Sequence, residues 1–307
     1  MNDFRLSVII PVYNRENVVV RTLDSVKAQS YRPIKLILVD NDSADGSLFT
    51  LLHWASLNKS DDFVIEVASE STRGAAAARN AGLRLAKTPW VMFFDSDDTM
   101  HPDHIASAIE TLDMNPYADI VGWDVNIHTL DDKVVKKEFV TRDCLYRCVM
   151  DGTMATQRYM VRTSLLLTAG GWNESIGVWD DIELGLRLLL LPSLEIVKRR
   201  GDALVDVFSQ ADSITGTSYL DKCAQLEHAI DVMSENLPAH SRFIAYLKAA
   251  VLAGLYSREG GLEQSDALMA KIYEAETSAR YRKLYQFARY YTARGGRGVA
   301  KLLKFLF

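Results

Sequence analysis

The first third of the chain alternates short apolar runs with stretches of helical spacing. Leu6-Ser7-Val8-Ile9-Ile10 is an apolar run closed by Pro11, and Ile34-Lys35-Leu36-Ile37-Leu38-Val39 is a second, closed by Asp40. Short runs of this kind predict buried strands. Phe63 to Val67, Trp90 to Phe94 and Asp119 to Ile127 predict three more. Between them, Glu16 to Ala28 carries Val19, Leu23 and Val26 on one helical face. Gly46 to Trp54, the alanine-rich Gly74 to Ala86, and Pro102 to Leu112 predict further helices, the last with Pro in its first turn. This alternation predicts an α/β fold with a mostly parallel central sheet and helices on both faces. Ligands of such sheets bind beyond the carboxyl ends of the strands. The acidic strand ends Asp40-Asn41-Asp42 and Asp95-Ser96-Asp97-Asp98 are therefore expected to converge on one crevice.

From 128 to 216 the pattern is mixed. Gly170-Gly171 breaks a helix, and Asp180 to Leu191 predicts a helix whose acidic first turn complements its dipole. From 217 onward the spacing is helical, broken at Pro238, Gly260-Gly261 and Gly295-Gly296. The expected organisation is an α/β domain over 1–216 and an all-helical region over 217–307.

Composition narrows the class. The 307 residues are 48% hydrophobic and 24% charged, which excludes disorder as a description of the whole chain. No apolar run approaches the roughly 18 residues of a membrane span, and Met1-Asn2-Asp3-Phe4-Arg5 does not read as a secretory leader. Cys144, Cys148 and Cys223 make neither a disulfide framework nor a paired zinc pattern. A reducing, cytoplasmic setting is expected. The net charge of −5 is uneven: residues 280–307 hold eight of the 35 Lys and Arg and none of the 40 Asp and Glu. That tail interleaves its basic residues with Tyr285, Phe287, Tyr290, Tyr291, Phe305 and Phe307. Such a segment suits the anionic inner face of a cytoplasmic membrane. Equally, it suits packing on the chain's own body or on a second copy in a homodimer. The acidic body argues against nucleic acid as a partner.

Four segments carry candidate chemistry. The Asp95–Asp98 tetrad follows a buried strand, where carboxylates can share Mg²⁺ or Mn²⁺; alone, it also reads as a solvated, helix-capping loop. Asp40 and Asp42 stand where an acid can meet a nucleoside, although Asp, Asn and Ser also favour turns. Arg73 and Arg79 flank a run of small residues and can meet phosphate, or decorate a tightly packed helix. Asp180-Asp181 offers a general base, or plain dipole capping. Trp172 and Trp179 have faces suited to sugars, or to a core. The six histidines, among them His101 and His104 beside the tetrad, show no ligand pattern, and those two read as helix-start residues. Neither a G-x-G-x-x-G fingerprint nor a G-x-x-x-x-G-K-[ST] phosphate loop is present.

Taken together, Ser7-Val8-Ile9-Ile10-Pro11-Val12-Tyr13-Asn14, Val39-Asp40-Asn41-Asp42-Ser43, Ala78-Arg79-Asn80-Ala81-Gly82, Phe94-Asp95-Ser96-Asp97-Asp98, Gly170-Gly171-Trp172-Asn173-Glu174 and Asp180-Asp181 with Arg187 resemble family 2 glycosyltransferases. These are inverting enzymes of GT-A fold that use nucleotide-sugar donors. The resemblance runs over about residues 5–215. It implies that Asp40 contacts the donor's base near Pro11 and Tyr13, with Asp42 and Arg79 also on the donor side. It puts Asp95 by the ribose and diphosphate, Asp97 as main ligand of Mn²⁺ or Mg²⁺ with Asp95 beside it, and Asp98 near the donor sugar. Asp181 would be the base, with Asp180 as its neighbour, and Trp172, Asn173, Glu174 and Trp179 would line the acceptor side. The implied setting is transfer from a nucleotide-sugar, a UDP-sugar first of all, to a glycan or lipid-linked acceptor in surface polysaccharide or lipopolysaccharide synthesis. Two features depart from the family pattern. Asp180 stands where a Glu is usual, and Gln210 stands where many relatives have a histidine before the element matched by Ser213-Ile214-Thr215. Other readings stay open: a polyprenyl-phosphate glycosyltransferase, which does not need the base, a non-catalytic nucleotide-sugar-binding protein, and a nucleotidyltransferase, for which Tyr13-Asn14-Arg15-Glu16 is the wrong loop.

Overall fold

The chain lays down β1 (Leu6–Val12), α1 (Val19–Lys27), β2 (Ile34–Asp40), α2 (Ser47–Asn58), β3 (Phe63–Ser69), α3 (Ala75–Leu85) and β4 (Trp90–Phe93) in strict alternation. There follow β5 (Thr99–Met100), α4 (His104–Met114), β6 (Ile120–Gly122), β7 (Val125–His128), β8 (Val134–Lys137), α5 (Cys144–Asp151), β9 (Tyr159–Arg162), α6 (Thr163–Thr168), α7 (Asp180–Leu189), β10 (Ile196–Lys198) and β11 (Val205–Phe208). Helices α8 (Cys223–Asn236), α9 (Phe243–Arg258), α10 (Leu262–Ala275), α11 (Ala279–Ala293) and α12 (Val299–Leu303) complete it. The computed structural model describes residues 3–210 and 218–303.

The central sheet has the order β10-β6-β9-β4-β1-β2-β3. Strands β4, β1, β2 and β3 are parallel neighbours, while β9 runs antiparallel between β4 and β6. The expected mostly parallel sheet is therefore present. The strand expected over 119–127 is two strands in two sheets. β6 belongs to the central sheet, and β7 to a second sheet of order β5-β11-β7-β8. The break falls at Trp123-Asp124. The Trp123 amide donates to the Arg158 carbonyl, and the Asp124 carboxylate accepts from the Phe139 amide and pairs with Lys198. Partners so distant in sequence leave no trace in a local pattern.

Each face of the central sheet seeds its own core, as the two-residue period of a strand requires. Leu6, Val8, Ile10 and Val12 face one side, with α1, α2 and α4; Ile9 faces the other, with α3, α5 and α7. Helix α3 lies very close to the sheet. A Cβ added at Gly82 would stand 2.4 Å from the Ile9 side chain, and Ile9 is fully buried. The C-terminal helices extend this second core. α9 runs between α8, α10 and α11, burying Leu247, Ala250, Ala253 and Tyr256, and it also packs on α5. Helix α11 buries Tyr285 and Ala288 and leaves Phe287 and Tyr290 exposed. Part of the basic, aromatic tail is thus core; Lys304, Phe305 and Phe307 lie outside the described residues. No described helix is long and apolar enough to cross a membrane.

Candidate active site

Parallel pairing puts Tyr13, Asp40 and the Asp95–Asp98 tetrad at one edge of the sheet, since β1, β2 and β4 end there side by side. Pro11 stands in β1 opposite Val39 of β2. Asp40 is buried. Its Oδ2 accepts from the Ser43 amide at 3.3 Å, while its Oδ1 is buried with no hydrogen-bond partner. Tyr13 is exposed, with the Arg73 guanidinium 5.5 Å from its ring centre. Arg73 donates to the Tyr13 hydroxyl at 3.3 Å and to the Asp42 carboxylate at 3.1 Å. Asn14 and Asp42 turn the two strand ends with φ of 50° and 58°, a region that Asn and Asp tolerate better than most residues.

The tetrad is wired internally. Asp95 Oδ1 accepts from Arg79 at 2.9 Å, and the Gln157 side-chain amide donates to both Asp95 and Asp98. Asp98 is buried and also accepts from the Phe208 amide at 2.9 Å. Burial, then the Asp95 charge, lifts Asp98 well above the ordinary carboxylate range. Burial and Asp95 also raise Asp97, against the pull of Arg15, whose Nε is 3.7 Å away. Carboxylates disfavoured in their ionised form by burial and by one another are a donor set that a hard divalent cation would favour. Among the described residues no group of three or more His, Cys, Asp or Glu forms a ready-made metal cage. Asp95 and Asp97 fit the sparser arrangement in which Mg²⁺ takes one or two carboxylates, with waters and substrate phosphates filling the rest.

Helix α3 joins this half to the second pair of acids. Arg79 donates to Asp95 with one nitrogen and, at 2.7 Å, to Asp180 with another. Burial works against its charge, but Asp180 and Asp95 outweigh that and the net shift is upward. Asp180 and Asp181 open α7 behind Trp179, which caps the helix at φ 59°. The Asp181 carboxylate accepts from the Ile182 amide at 2.8 Å. Burial first, then Asp180, raises Asp181 above the ordinary range, with Arg79 pulling the other way. The next residue of α3, Asn80, clamps the glycine turn. Its Oδ1 accepts from the Trp172 amide at 2.8 Å, and its Nδ2 donates to the Trp172 carbonyl and to Glu174. Arg187 of α7 holds the same turn from behind, donating to the Gly171 carbonyl at 2.8 Å.

Two expected residues are placed differently from their expected roles. Arg79 does not present its guanidinium to an incoming phosphate; it is buried, bound to two carboxylates, and lies 4.4 Å over the Trp172 ring. Trp172 in turn has no open face for a sugar. It is 2% exposed and meets Phe93 edge-on. Asn173 and Trp179 are partly buried, and Glu174 is exposed beside them. Gln157, Asn80 and Arg15 are the site residues that sequence reasoning missed. Asn80 and Arg15 lie inside quoted motifs, whereas Gln157 comes from the irregular middle and carries no local signal. His104 does start a helix, and His101 and His128 unexpectedly meet on Asp206, at 2.9 and 3.0 Å. Ser213-Ile214-Thr215 lies outside the described residues.

A sheet of this order, with acidic strand ends facing a second acidic pair across a bound arginine, is the arrangement of the GT-A fold. The crystal structure of S. aureus TarS 1-349 in complex with UDP-GlcNAc matches with a TM-score of 0.71 at 17% identity, over 97% of this chain and 91% of that one. A mannosyltransferase, PcManGT from Pyrobaculum calidifontis in complex with GDP-Man and Mn²⁺, matches with a TM-score of 0.58 at 18% identity, over 98% of this chain and 87% of that one. Residues 7–158 match the family model, and this part of the chain belongs to glycosyl transferase family 2. Among curated relatives, the Escherichia coli UDP-Glc:alpha-D-GlcNAc-diphosphoundecaprenol beta-1,3-glucosyltransferase WfgD is 29% identical over 46% of this chain and 52% of its own length. The Erwinia amylovora amylovoran biosynthesis glycosyltransferase AmsB is 35% identical over 37% of each chain. WfaP of Escherichia coli, another beta-1,3-glucosyltransferase with the same donor and acceptor in its name, is 26% identical over 80% of this chain and 92% of its own. The chain thus spans about half of WfgD's length and about a third of AmsB's.

Proposed function

We propose that the protein is an inverting, metal-dependent glycosyltransferase that moves a sugar from a nucleoside-diphosphate donor, first of all a UDP-sugar, to a hydroxyl of a lipid-linked acceptor in surface polysaccharide synthesis. Residues 1–216 are read as the catalytic part and 217–307 as a helical support. The observation that carries the reading is Arg79, which brings the strand-end acid Asp95 and the helix-start acid Asp180 onto one guanidinium. Donor site and base are thereby held in one crevice.

The unpaired, buried Asp40 Oδ1 suits an N–H of the donor's base. Tyr13, with Arg73 and Asp42 at its edge, offers that base a ring face. Asp97, with Asp95 beside it, would hold Mn²⁺ or Mg²⁺. Such an ion, when bound, stabilises the charge of a departing diphosphate. Asp98, fixed by Gln157 and the Phe208 amide, orients the rest of the tetrad towards the donor sugar. Asp181 takes the proton of the acceptor hydroxyl as it attacks the anomeric carbon, and Asp180, anchored by Arg79, keeps that carboxylate's neighbour in place. A single displacement inverts the anomeric centre. Asn173, Glu174 and Trp179 border the acceptor side. The names of WfgD and WfaP support a UDP-sugar donor and a diphospholipid acceptor.

General base catalysis contributes typically about 10²–10⁴-fold. Asp181→Asn should lower transfer from a radiolabelled UDP-sugar by about that factor while UDP binding is kept. Full transfer activity in this variant would exclude Asp181 as the base.

A further inference from the structure

The C-terminal helices contribute a charge to the catalytic crevice that the reaction as described does not use. Lys248 lies in the middle of α9, between Leu247 and Ala249, both core residues. Its ammonium stands 4.4 Å from the centre of the Trp179 ring, the residue before Asp180-Asp181. No carboxylate among the described residues is within ion-pair reach of it. Its nearest electrostatic neighbours include another cation, Lys137 of β8, together with Asp181 and Asp151. Lys137 has Arg158 and Asp181 among its own neighbours, and Arg158 donates to the Lys137 carbonyl at 3.3 Å. Arg158 is 2% exposed, and its Nε is buried without a partner. Asp151 is already paired with Arg147 at 2.5 Å. Arg158 also has Asp124 among its neighbours, but Lys136 and Lys198 share that carboxylate, so cations outnumber carboxylates at this end of the crevice.

Charges packed together and short of counter-ions destabilise the empty site. Burial, then Lys137, draws Lys248 down to about 8, and burial draws Arg158 down to about 10. An anion bound here would relieve both. The donor's diphosphate has its own place at Asp95 and Asp97, across Arg79. A second anion beside the base must come from the other substrate.

We propose that Lys248, with Lys137, forms an anion subsite next to Asp181 that takes the phosphate of a phosphorylated acceptor, a sugar phosphate or diphosphate ester of a long-chain alcohol. The assignment rests on the reading of Asp181 as the base and deepens it. It makes Lys248 a specificity residue for the acceptor, supplied by a region with no catalytic role of its own.

The test is calorimetric binding of decyl diphosphate to the full chain saturated with UDP and Mg²⁺, for wild type, Lys248→Met and Lys248→Arg. Decyl glucoside serves as the uncharged probe and inorganic pyrophosphate as the lipid-free one. Loss of a charge-assisted contact predicts at least about tenfold weaker decyl diphosphate binding in Lys248→Met and near wild-type binding in Lys248→Arg. UDP and decyl glucoside should bind all three alike. Pyrophosphate weakened in the same proportion would assign the recognition to the phosphate alone; pyrophosphate unaffected would assign it to the ester. Equal decyl diphosphate binding in wild type and Lys248→Met overturns the proposal. So does a parallel loss of UDP affinity, which would move Lys248 to the donor side. If UDP fails to bind wild type at all, the glycosyltransferase reading itself falls, and this inference with it.

Discussion

Asp181 and His104 show opposite uses of burial. A general base must be ionised, and burial beside Asp180 lifts Asp181 to about 6. The ionised fraction therefore falls as pH drops through that value. Transfer measured at subsaturating donor should lose activity on a limb near pH 6, rather than near 4 as for an exposed carboxylate. A flat profile from pH 7.5 to 5 would contradict the assignment. His104 is fully buried edge-on to Trp123, with neither ring nitrogen hydrogen-bonded. Burial first, then Arg199 and His101, lowers it from 6.5 to about 3. Between those values the unfolded chain binds a proton that the native chain does not. Stability is thus fully present above pH 6.5 and lost as pH falls, by up to about 1.4 kcal/mol per unit for one proton. His104→Phe should flatten this dependence in urea titrations between pH 7.5 and 4.5. An unchanged slope would show that other groups control acid stability.

Helix α3 sets the geometry of the site because its small residues let it lie against the sheet. With Ile9 fully buried, Gly82→Val has nowhere to put its side chain. It should cost about 1–3 kcal/mol, as overpacking of cores does, and shift Arg79 relative to Asp95. Thermal unfolding together with UDP binding checks both effects; a variant as stable as wild type would contradict the close approach. The alternating elements were legible in the sequence because two- and 3.6-residue periods report burial directly. Their ends moved by only a few residues, as when the helix expected over Asp180–Leu191 stopped at Leu189. The division of 119–127 between two sheets was not legible, because Lys198 and Phe139 decide it from far along the chain. The strand-end acids could be read for the same reason that the strands could. Gln157 could not, since only the tertiary fold carries it to Asp95 and Asp98. Arg79 was legible as a candidate, but its partners were not, because nothing in a helix pattern shows which carboxylates it will meet.

At the scale of the whole molecule, the C-terminal helices share one core with the α3 face of the sheet. Truncation before Arg280 would expose that core, because Tyr285 and Ala288 are buried in it. A cleaner test of membrane attraction replaces Lys283, Arg297, Lys301 and Lys304 by Gln. If the tail binds an anionic surface, each basic residue near it contributes about 1 kcal/mol. The variant should then float far less with anionic liposomes than wild type; equal flotation would discard the membrane role. If the strand-end acids form a metal-dependent nucleotide-sugar site, calorimetric titration of UDP, GDP and dTDP, each with and without Mn²⁺, into wild type and Asp97→Ala will show it. One nucleotide, with UDP the expected one, should bind tightly and only with Mn²⁺, and Asp97→Ala should abolish that binding. Binding of none of them, or binding indifferent to both Mn²⁺ and the substitution, would contradict such a site.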